Sequence, residues 1–280
     1  ILIEPAYDHI GIFKNNTSIA AKNEHFGVID IKEKIRIPFA YDYIRSNDHT
    51  SFVLKKGNLF GLFQLEKQFL LETEYEQIEI VSDHQFFIKQ NDLWGLYSNE
   101  EIKIPLQFDS LQFSNNKALY IGTKKKQLHL FNLKGAFLFE CASYNPIDET
   151  FSNPKLELAL TDSISSIQYF KDNLFLVTKN GKQGLLDVKS KVQKLPTTHK
   201  SIFQKKNWII FKKNDSVGFA NLAGDIIHDL SPNQYFINKD GIWIKQKDER
   251  NANKSLTGFL FNNGKAFSSR QTRIVENVCE

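Results

Sequence analysis

Short runs of β-branched and aromatic residues, punctuated by clusters of Asn, Asp, Gly and Lys, fill this chain. Their spacing follows hairpin chemistry, not the 3.6-residue period of helices. Residues 76–105 display the pattern: Glu76–Val81, the turn Ser82-Asp83-His84, Phe86–Gln90, Asn91-Asp92, Leu93–Tyr97, Ser98-Asn99-Glu100, then Ile102–Ile104 up to Pro105. This predicts an antiparallel meander of four short strands. Pro105 is expected at the end of the last strand, because proline cannot donate to a ladder. In the second and third strands apolar residues stand side by side, as in Phe86-Phe87-Ile88 and Leu62-Phe63, so both faces of such a sheet need cover.

The pattern repeats every 34 residues. A glycine after a bulky residue recurs at Gly27, Gly61 and Gly95, the same place holds His129 one period on, and the glycine returns at Gly184, Gly218 and Gly258. An apolar column eight residues upstream, allowing for the last insertion, comprises Ile19, Val53, Phe87, Ile121, Leu176, Ile210 and Ile244. Further upstream an aromatic-acidic pair precedes an apolar position at Tyr7-Asp8, Tyr41-Asp42, Tyr75-Glu76 and Phe108-Asp109, and decays in the later copies around Thr198-Lys200 and Tyr235-Phe236. The units run 1–34, 35–68, 69–102, 103–136, 137–190 with an insertion at 141–165, 191–224 and 225–264, with a partial unit at 265–280.

A small sheet cannot bury two apolar faces alone, so neighbouring units must supply the cover. The fold class is therefore all-β. Seven stacked units favour a seven-bladed β-propeller over an open β-solenoid-like array. Ile1-Leu2-Ile3 falls at the fourth-strand position of a preceding unit and Thr272–Val278 resembles a first strand, so the ends are expected either to pair or to be the cut edges of a longer array.

Leu93-Trp94-Gly95-Leu96-Tyr97, followed by Ile102-Lys103-Ile104-Pro105 and Phe108-Asp109, resembles the bacterial WG repeat. The other copies carry Phe26, Phe60, Leu128, Gln183, Val217 and Thr257 in place of the tryptophan, so spacing carries as much of the resemblance as identity does. The resemblance implies a repeat scaffold without assigned catalysis, in bacterial envelope, secreted or effector settings, and it transfers no catalytic residue.

Composition narrows the chemistry. Among 280 residues, Lys+Arg 36 against Asp+Glu 32 leave a net charge of only +4, short of the strongly basic footprint of a dedicated nucleic-acid binder. Two cysteines cannot build a disulfide framework or a cysteine zinc site. No run approaches the ~18 apolar residues of a membrane span. The absent methionine makes Ile1 a processing site or fragment boundary, and the resemblance to the WG repeat favours an extracytoplasmic location over the cytoplasm. The seven histidines are dispersed without metal-ligand spacing, and no nucleophile elbow, phosphate loop or dinucleotide fingerprint is present; no cofactor or metal and no enzymatic activity is expected. Asp48, His49, Asp83 and His84 share equivalent first turns, where such residues ordinarily satisfy local backbone groups.

Two features point to binding. The turns between second and third strands gather lysines at one edge, including Lys124, Lys125, Lys126, Lys212 and Lys213, while the first turns are rich in Asn and Asp. Such an edge suits an anionic glycan, acidic protein or lipid surface. The 141–165 insertion carries Tyr144, Phe151, Leu156 and Leu158, apolar residues that need covering, and its second part reads as a short helix or strand. The polar insertion Lys247–Lys254 reads as a protruding hairpin tip. The expectation is a non-catalytic scaffold that binds another protein, within a larger envelope or secreted assembly. The alternative is a carbohydrate- or polyanion-binding module using the lysine-rich edge, and the third class is a hydrolase with a channel site.

Overall fold

The computed structural model describes residues 6–82, 84–156, 164–231, 233–237, 241–248, 251–261 and 266–269. The expectations for Ile1–Ile3 and Thr272–Val278 lie outside them. All regular structure among the described residues is antiparallel strand, in seven sheets that each follow chain order. Sheet 1 comprises β1 (His9–Ile10), β2 (Thr17–Lys22), β3 (His25–Asp30) and β4 (Ile35–Tyr41); sheet 2 comprises β5 (Tyr43–Arg45), β6 (Ser51–Lys56), β7 (Leu59–Gln64) and β8 (Phe69–Tyr75). Sheet 3 holds β9 (Gln77–Ser82), β10 (Gln85–Gln90), β11 (Leu93–Ser98) and β12 (Glu101–Phe108); sheet 4 holds β13 (Ser110–Phe113), β14 (Leu119–Lys124), β15 (Gln127–Asn132) and β16 (Phe137–Cys141).

Sheet 5 has six strands, β17 (Ser143–Asn145), β18 (Thr150–Ser152), β19 (Ser166–Lys171), β20 (Leu174–Lys179), β21 (Lys182–Asp187) and β22 (Val192–His199). Sheet 6 is β23 (Ser201–Lys205), β24 (Trp208–Lys213), β25 (Ser216–Ala220) and β26 (Ile226–Ser231), and sheet 7 is β27 (Asn233–Ile237), β28 (Gly241–Asp248), β29 (Asn251–Phe261) and β30 (Ala266–Ser269). The chain divides into two compact units, residues 1–137 and 138–280, the division falling inside β16.

Within each unit the core lies between consecutive sheets. In unit 1, Val28 and Ile37 of sheet 1 pack with Ile44, Phe52 and Leu54 of sheet 2. Val53, Leu62 and Tyr75 of sheet 2 then pack with Ile78, Phe86 and Ile88 of sheet 3, and Phe87, Leu96 and Phe108 of sheet 3 with Tyr120 and Phe131 of sheet 4. In unit 2 the same layering joins Leu176 and Leu185 to Ile209 and Phe211, and Ile210 and Phe219 to Ile242 and Ile244. Adjacent apolar residues on one strand thus point into two different interlayers, each lined by buried apolar side chains. That is why phenylalanine recurs in the columns: Phe52, Phe86, Phe175 and Phe219 are fully buried.

The motif glycine stands opposite a bulge in the fourth strand. The β3–β4 ladder slips between Phe26 and Val28, and equivalent slips occur at Gly61, Gly95, Gly184 and Gly218. A Cβ on Gly61 would lie 2.6 Å from the Leu71 carbonyl oxygen, and one on Gly95 2.6 Å from that of Ile104. At Gly27, Gly61, Gly95 and Gly184 the glycine is therefore a packing requirement, because the bulged backbone occupies the space a side chain would take, and at Gly218 the Phe211 ring fills that space. Pro105 sits inside β12, which continues to Phe108; the strand expected to stop there runs on because the proline lies on an edge strand at the bulge, where no N–H is needed.

Sheet 4 solves the same problem in reverse. His129 takes the glycine's place on β15, and its ladder partner on β14 is Gly122, where other sheets have Ala20, Leu54, Ile88, Val177 or Phe211. The Phe108 ring fills the space above Gly122, 2.7 Å from where its Cβ would be, and meets His129 edge to face at 5.3 Å. Glycine has crossed the ladder to keep the volume constant.

The apolar column needs one correction, in sheet 7. Trp243 pairs with Phe259, the residue after Gly258, so Trp243 is the equivalent of Ile210, and Ile244 is the equivalent of Phe211. Counting the insertion as six residues placed Ile244 one position off, and with period-two side chains a one-residue slip reverses the face.

Candidate functional site

The turns joining second to third strands are tight and largely of the type with two left-handed residues: Asn23-Glu24, Asn91-Asp92, Lys125-Lys126 and Asn180-Gly181 all have positive φ. Each such turn in unit 1 is held by the acidic residue that opens its sheet. The Glu24 N–H donates to Asp8 Oδ2 at 3.3 Å, Gly57 to Asp42 Oδ2 at 2.6 Å, Asp92 to Glu76 Oε2 at 3.1 Å, and Lys125 to Asp109 Oδ2 at 3.0 Å. The acidic member of the aromatic-acidic pair is therefore a clamp on the neighbouring hairpin, a role its period signalled but did not explain.

These carboxylates share the edge with the lysines. Lys89 pairs with Asp92 at 2.8 Å and Glu76 at 3.8 Å, which raises its pKa chiefly through the bond to Asp92. Lys124 donates to Gln107 Oε1 at 2.6 Å, whereas Lys125 and Lys126 form the exposed turn itself. Lys22 and Lys55 lie over the rings of Tyr7 and Phe60, each 5.8 Å from the centroid. The uniformly basic edge expected from the sequence is thus a mixed-charge edge in unit 1.

In sheet 6 of unit 2 a lysine replaces the clamp acid. Lys200 stands where Asp42, Glu76 and Asp109 stand, its N–H donating to the Lys212 carbonyl at 2.7 Å as the Asp42 N–H does to that of Lys55 at 2.9 Å. Lys212 lies between two rings, 5.4 Å from the Phe203 centroid and 5.3 Å from that of Tyr235, while Lys213 is exposed.

Lysine at both left-handed positions of a two-residue turn is costly, since Asn-Gly adopts that geometry with less strain. Replacing Lys125 by Asn together with Lys126 by Gly is expected to stabilise the protein by about 1 kcal/mol, read as a higher urea midpoint with an unchanged slope.

The 141–165 insertion builds a hairpin, not a loose loop. β17 pairs with β18 and β18 with β19, extending sheet 5 by two strands. Phe151 is a correction to the expected contact surface: it is fully buried, stacked on Tyr144 at 4.8 Å and edge to face with Phe139 at 6.0 Å, so a partner cannot reach it. Tyr144 and Leu156 are half-buried, Leu158 lies outside the described residues, and Ile147 at the hairpin tip is 92% exposed. Lys155 forms an isolated bridge to Glu140. The second insertion lengthens the β28–β29 hairpin, closed by the pair Asp248 and Asn251.

The first-turn residues bond backbone groups of their own turn and of the neighbouring sheet. His49 Nδ1 lies 2.9 Å from the Thr17 carbonyl, and the Asp48 carboxylate accepts from the Thr50 N–H and hydroxyl at 3.0 and 2.7 Å. Burial raises the Asp48 pKa, but these hydrogen bonds outweigh it and leave the carboxyl below its ordinary value. Asp83 lies outside the described residues. Among the described residues no group of His, Cys, Asp and Glu has the arrangement of a metal site. Burial pushes the Cys141 thiol up to about 12, so it is protonated and unreactive at neutral pH. A further column that sequence reading missed caps the third turn: Asp30, Asn132, Asp187 and Asn221 each accept backbone N–H groups two to four residues on, at 2.8–3.1 Å. Its 34-residue spacing was readable from Asp187 and Asn221.

His199 occupies the aromatic column of Tyr41, Tyr75 and Phe108, edge to face with Phe211 at 5.2 Å. Burial lowers its pKa, opposed by hydrogen bonding to the Pro196 and Gln183 backbones, and burial lowers that of His228 as well. A folded-state pKa below the unfolded value of about 6.5 means that the unfolded chain binds the proton more readily. Stability is expected to be complete above about pH 6.5 and to fall as the pH drops below it. Thermal melts at pH 7.5 and 5.5 check this, with His199→Phe flattening the difference.

These units define a class, repeat proteins of antiparallel four-stranded meanders. More particularly, residues 26–49 match the WG-containing repeat, and the chain carries such a repeat there. The matched segment holds Gly27 at the bulge, Pro38 on the edge strand, Tyr41 at the sheet junction and the clamp Asp42. No curated protein matches the chain. Solved structures similar to it include Hsv2p of Kluyveromyces lactis (10% identity, 88% of this chain and 89% of that one, TM-score 0.29). A eukaryotic initiation factor gives 8% identity, 96% and 89% coverage and a TM-score of 0.33. PorZ, a surface component of the type-IX secretion system of Porphyromonas gingivalis, gives 8%, 94% and 38%, and 0.27. Superpositions this loose transfer nothing to this chain. No helix among the described residues is long and apolar enough to cross a membrane.

Proposed function

We propose that this chain is a non-catalytic interaction module that binds another protein through its repeated sheets, inside a larger assembly. The observation that carries the reading is an apolar column on the outermost strands. Ile35, Leu70, Ile102 and Ile226 pair with Ile29, Phe63, Tyr97 and Ala220, each two residues past a motif glycine, and all four are exposed, Ile35 by 54%. Each lies on the fourth strand, at the edge of its sheet. In unit 1 Ile35, Leu70 and Ile102 hold one register on the edge strands of sheets 1 to 3, which suits burial against a partner, and Ile226 holds the same register in unit 2. The bulges on these strands, with Pro38 on β4 and Pro105 on β12, meanwhile discourage pairing with stray chains. The non-catalytic reading is supported by the engagement of Asp48 within its turn and of His49 with the Thr17 carbonyl of the neighbouring sheet. An envelope or secreted setting rests on the family resemblance alone.

The test is co-purification from the native source, quantified by mass spectrometry, with the wild-type chain and with Ile35→Asp/Ile102→Asp/Ile226→Asp. Depletion of a specific protein by the variant, with unchanged circular dichroism, is expected. An identical set of co-purified proteins would overturn the reading.

A further inference from the structure

We infer that the turn edge of unit 2 docks an acidic peptide segment of a partner protein. The proposal deepens the interaction reading above by assigning a surface and a partner chemistry, and it uses an edge distinct from the apolar fourth strands.

The lysines of this edge are brought together by register. Lys179 and Lys182 pair across the β20–β21 turn, and Gln183, next to Lys182, pairs with His199, next to Lys200. The Lys200 backbone then bonds that of Lys212, Lys213 closes the next turn opposite Ser216, and Lys245 pairs with Gln234, beside Tyr235. The run crosses three consecutive sheets. Lys182, Lys200, Lys213 and Lys245 are exposed.

Unit 1 provides the internal comparison. Its edge answers Lys22, Lys55, Lys56, Lys89 and Lys124–Lys126 with Asp8, Glu24, Asp42, Glu76, Asp92 and Asp109, so its charge is nearly balanced. In unit 2 the clamp position reverses sign at Lys200, and among the described residues the acidic residues on or beside this edge include Asp215 at a turn tip, Asp229 on a fourth strand and Asp248 at the β28–β29 turn, fewer than the six lysines Lys179, Lys182, Lys200, Lys212, Lys213 and Lys245. Removing the acid forfeits the turn clamp, so the lysine stands there at a cost to the hairpin. Burial lowers the His199 pKa most, and Lys213 is near enough to lower it further, opposed by Asp229.

The choice of a peptide over a sulfated glycan follows from the rings. Phe203 and Tyr235 flank Lys212 and are only partly buried, so the centre of the run is cationic and aromatic at once. Carboxylates alternating along an extended segment can meet lysines from successive sheets, about 10 Å apart, while its apolar side chains lie against the two rings.

The experiment uses the full chain and a fluorescein-labelled decaglutamate peptide followed by anisotropy. Binding is expected at 50 mM salt, weakening at least tenfold by 300 mM. Lys182→Ser/Lys200→Ser/Lys213→Ser is expected to weaken it at least tenfold, while Lys56→Ser/Lys125→Ser/Lys126→Ser changes it less than twofold. Equal loss from both variants, no binding by the folded wild type, or tight binding of a sulfated oligosaccharide with none of the peptide would each overturn the proposal. None of these outcomes touches co-purification through the apolar strands, so the two readings fail separately.

Discussion

Gly95→Ala is expected to destabilise the protein by about 3 kcal/mol, lowering the melting temperature by roughly 10 °C. The added methyl would lie 2.6 Å from the Ile104 carbonyl oxygen and 3.1 Å from the Leu106 N, both backbone atoms of the bulged fourth strand. Neither can move by a rotamer change; relief requires shifting β12, whose Ile104 and Phe108 are fully buried. Gly57→Ala is the control. That glycine has a φ of 62° and open space around its Cβ, so alanine meets backbone strain alone and costs about 1 kcal/mol. Chemical denaturation of both variants separates the effects, and equal losses would show that the motif glycine is kept for its backbone and not for its missing side chain.

Phe108→Ala is expected to cost about 3–5 kcal/mol, the range for emptying a buried aromatic site. Its ring packs edge to face against His129 and Phe131 at 5.3 and 5.4 Å and fills the gap over Gly122. Gly122→Ala alone is expected to be severe for the opposite reason, since its methyl would lie 2.7 Å from that ring. The double variant should be less damaging than the sum, because the new methyl occupies part of the space the ring has vacated. A double-mutant cycle by urea unfolding measures the coupling. Strict additivity would mean that the glycine of sheet 4 has not exchanged places with the ring.

Both predictions come from one economy of volume, which also accounts for how the repeats diverged. Where a motif residue changes, a neighbour across the ladder or across the interlayer changes with it. His129 is matched by Gly122, and His199 enters the aromatic column against Phe211, above Gly218. The clamp is different: Lys200 replaces the acid outright, and that is a position at which we propose the acidic segment docks.

Much of this was legible in the residues. The 34-residue period, the first three strands of residues 76–98 and the burial of the phenylalanine columns follow from local alternation and from the inability of a small sheet to cover itself. Strand-by-strand position is a local property, and hydrophobic spacing encodes it directly. What the chain alone left open depends on partners far apart in sequence. The bulge that makes Gly95 obligatory lies on the next strand. The carboxylate that holds Lys125 lies 16 residues upstream. The insertion's Phe151 looked like exposed apolar surface until β17 and β18 joined sheet 5 and buried it, and the count through the last insertion slipped by one because only the ladder sets register. The tertiary structure alone decided which lysines stand beside acids and which do not, since charge balance at an edge is set by which strands end there together.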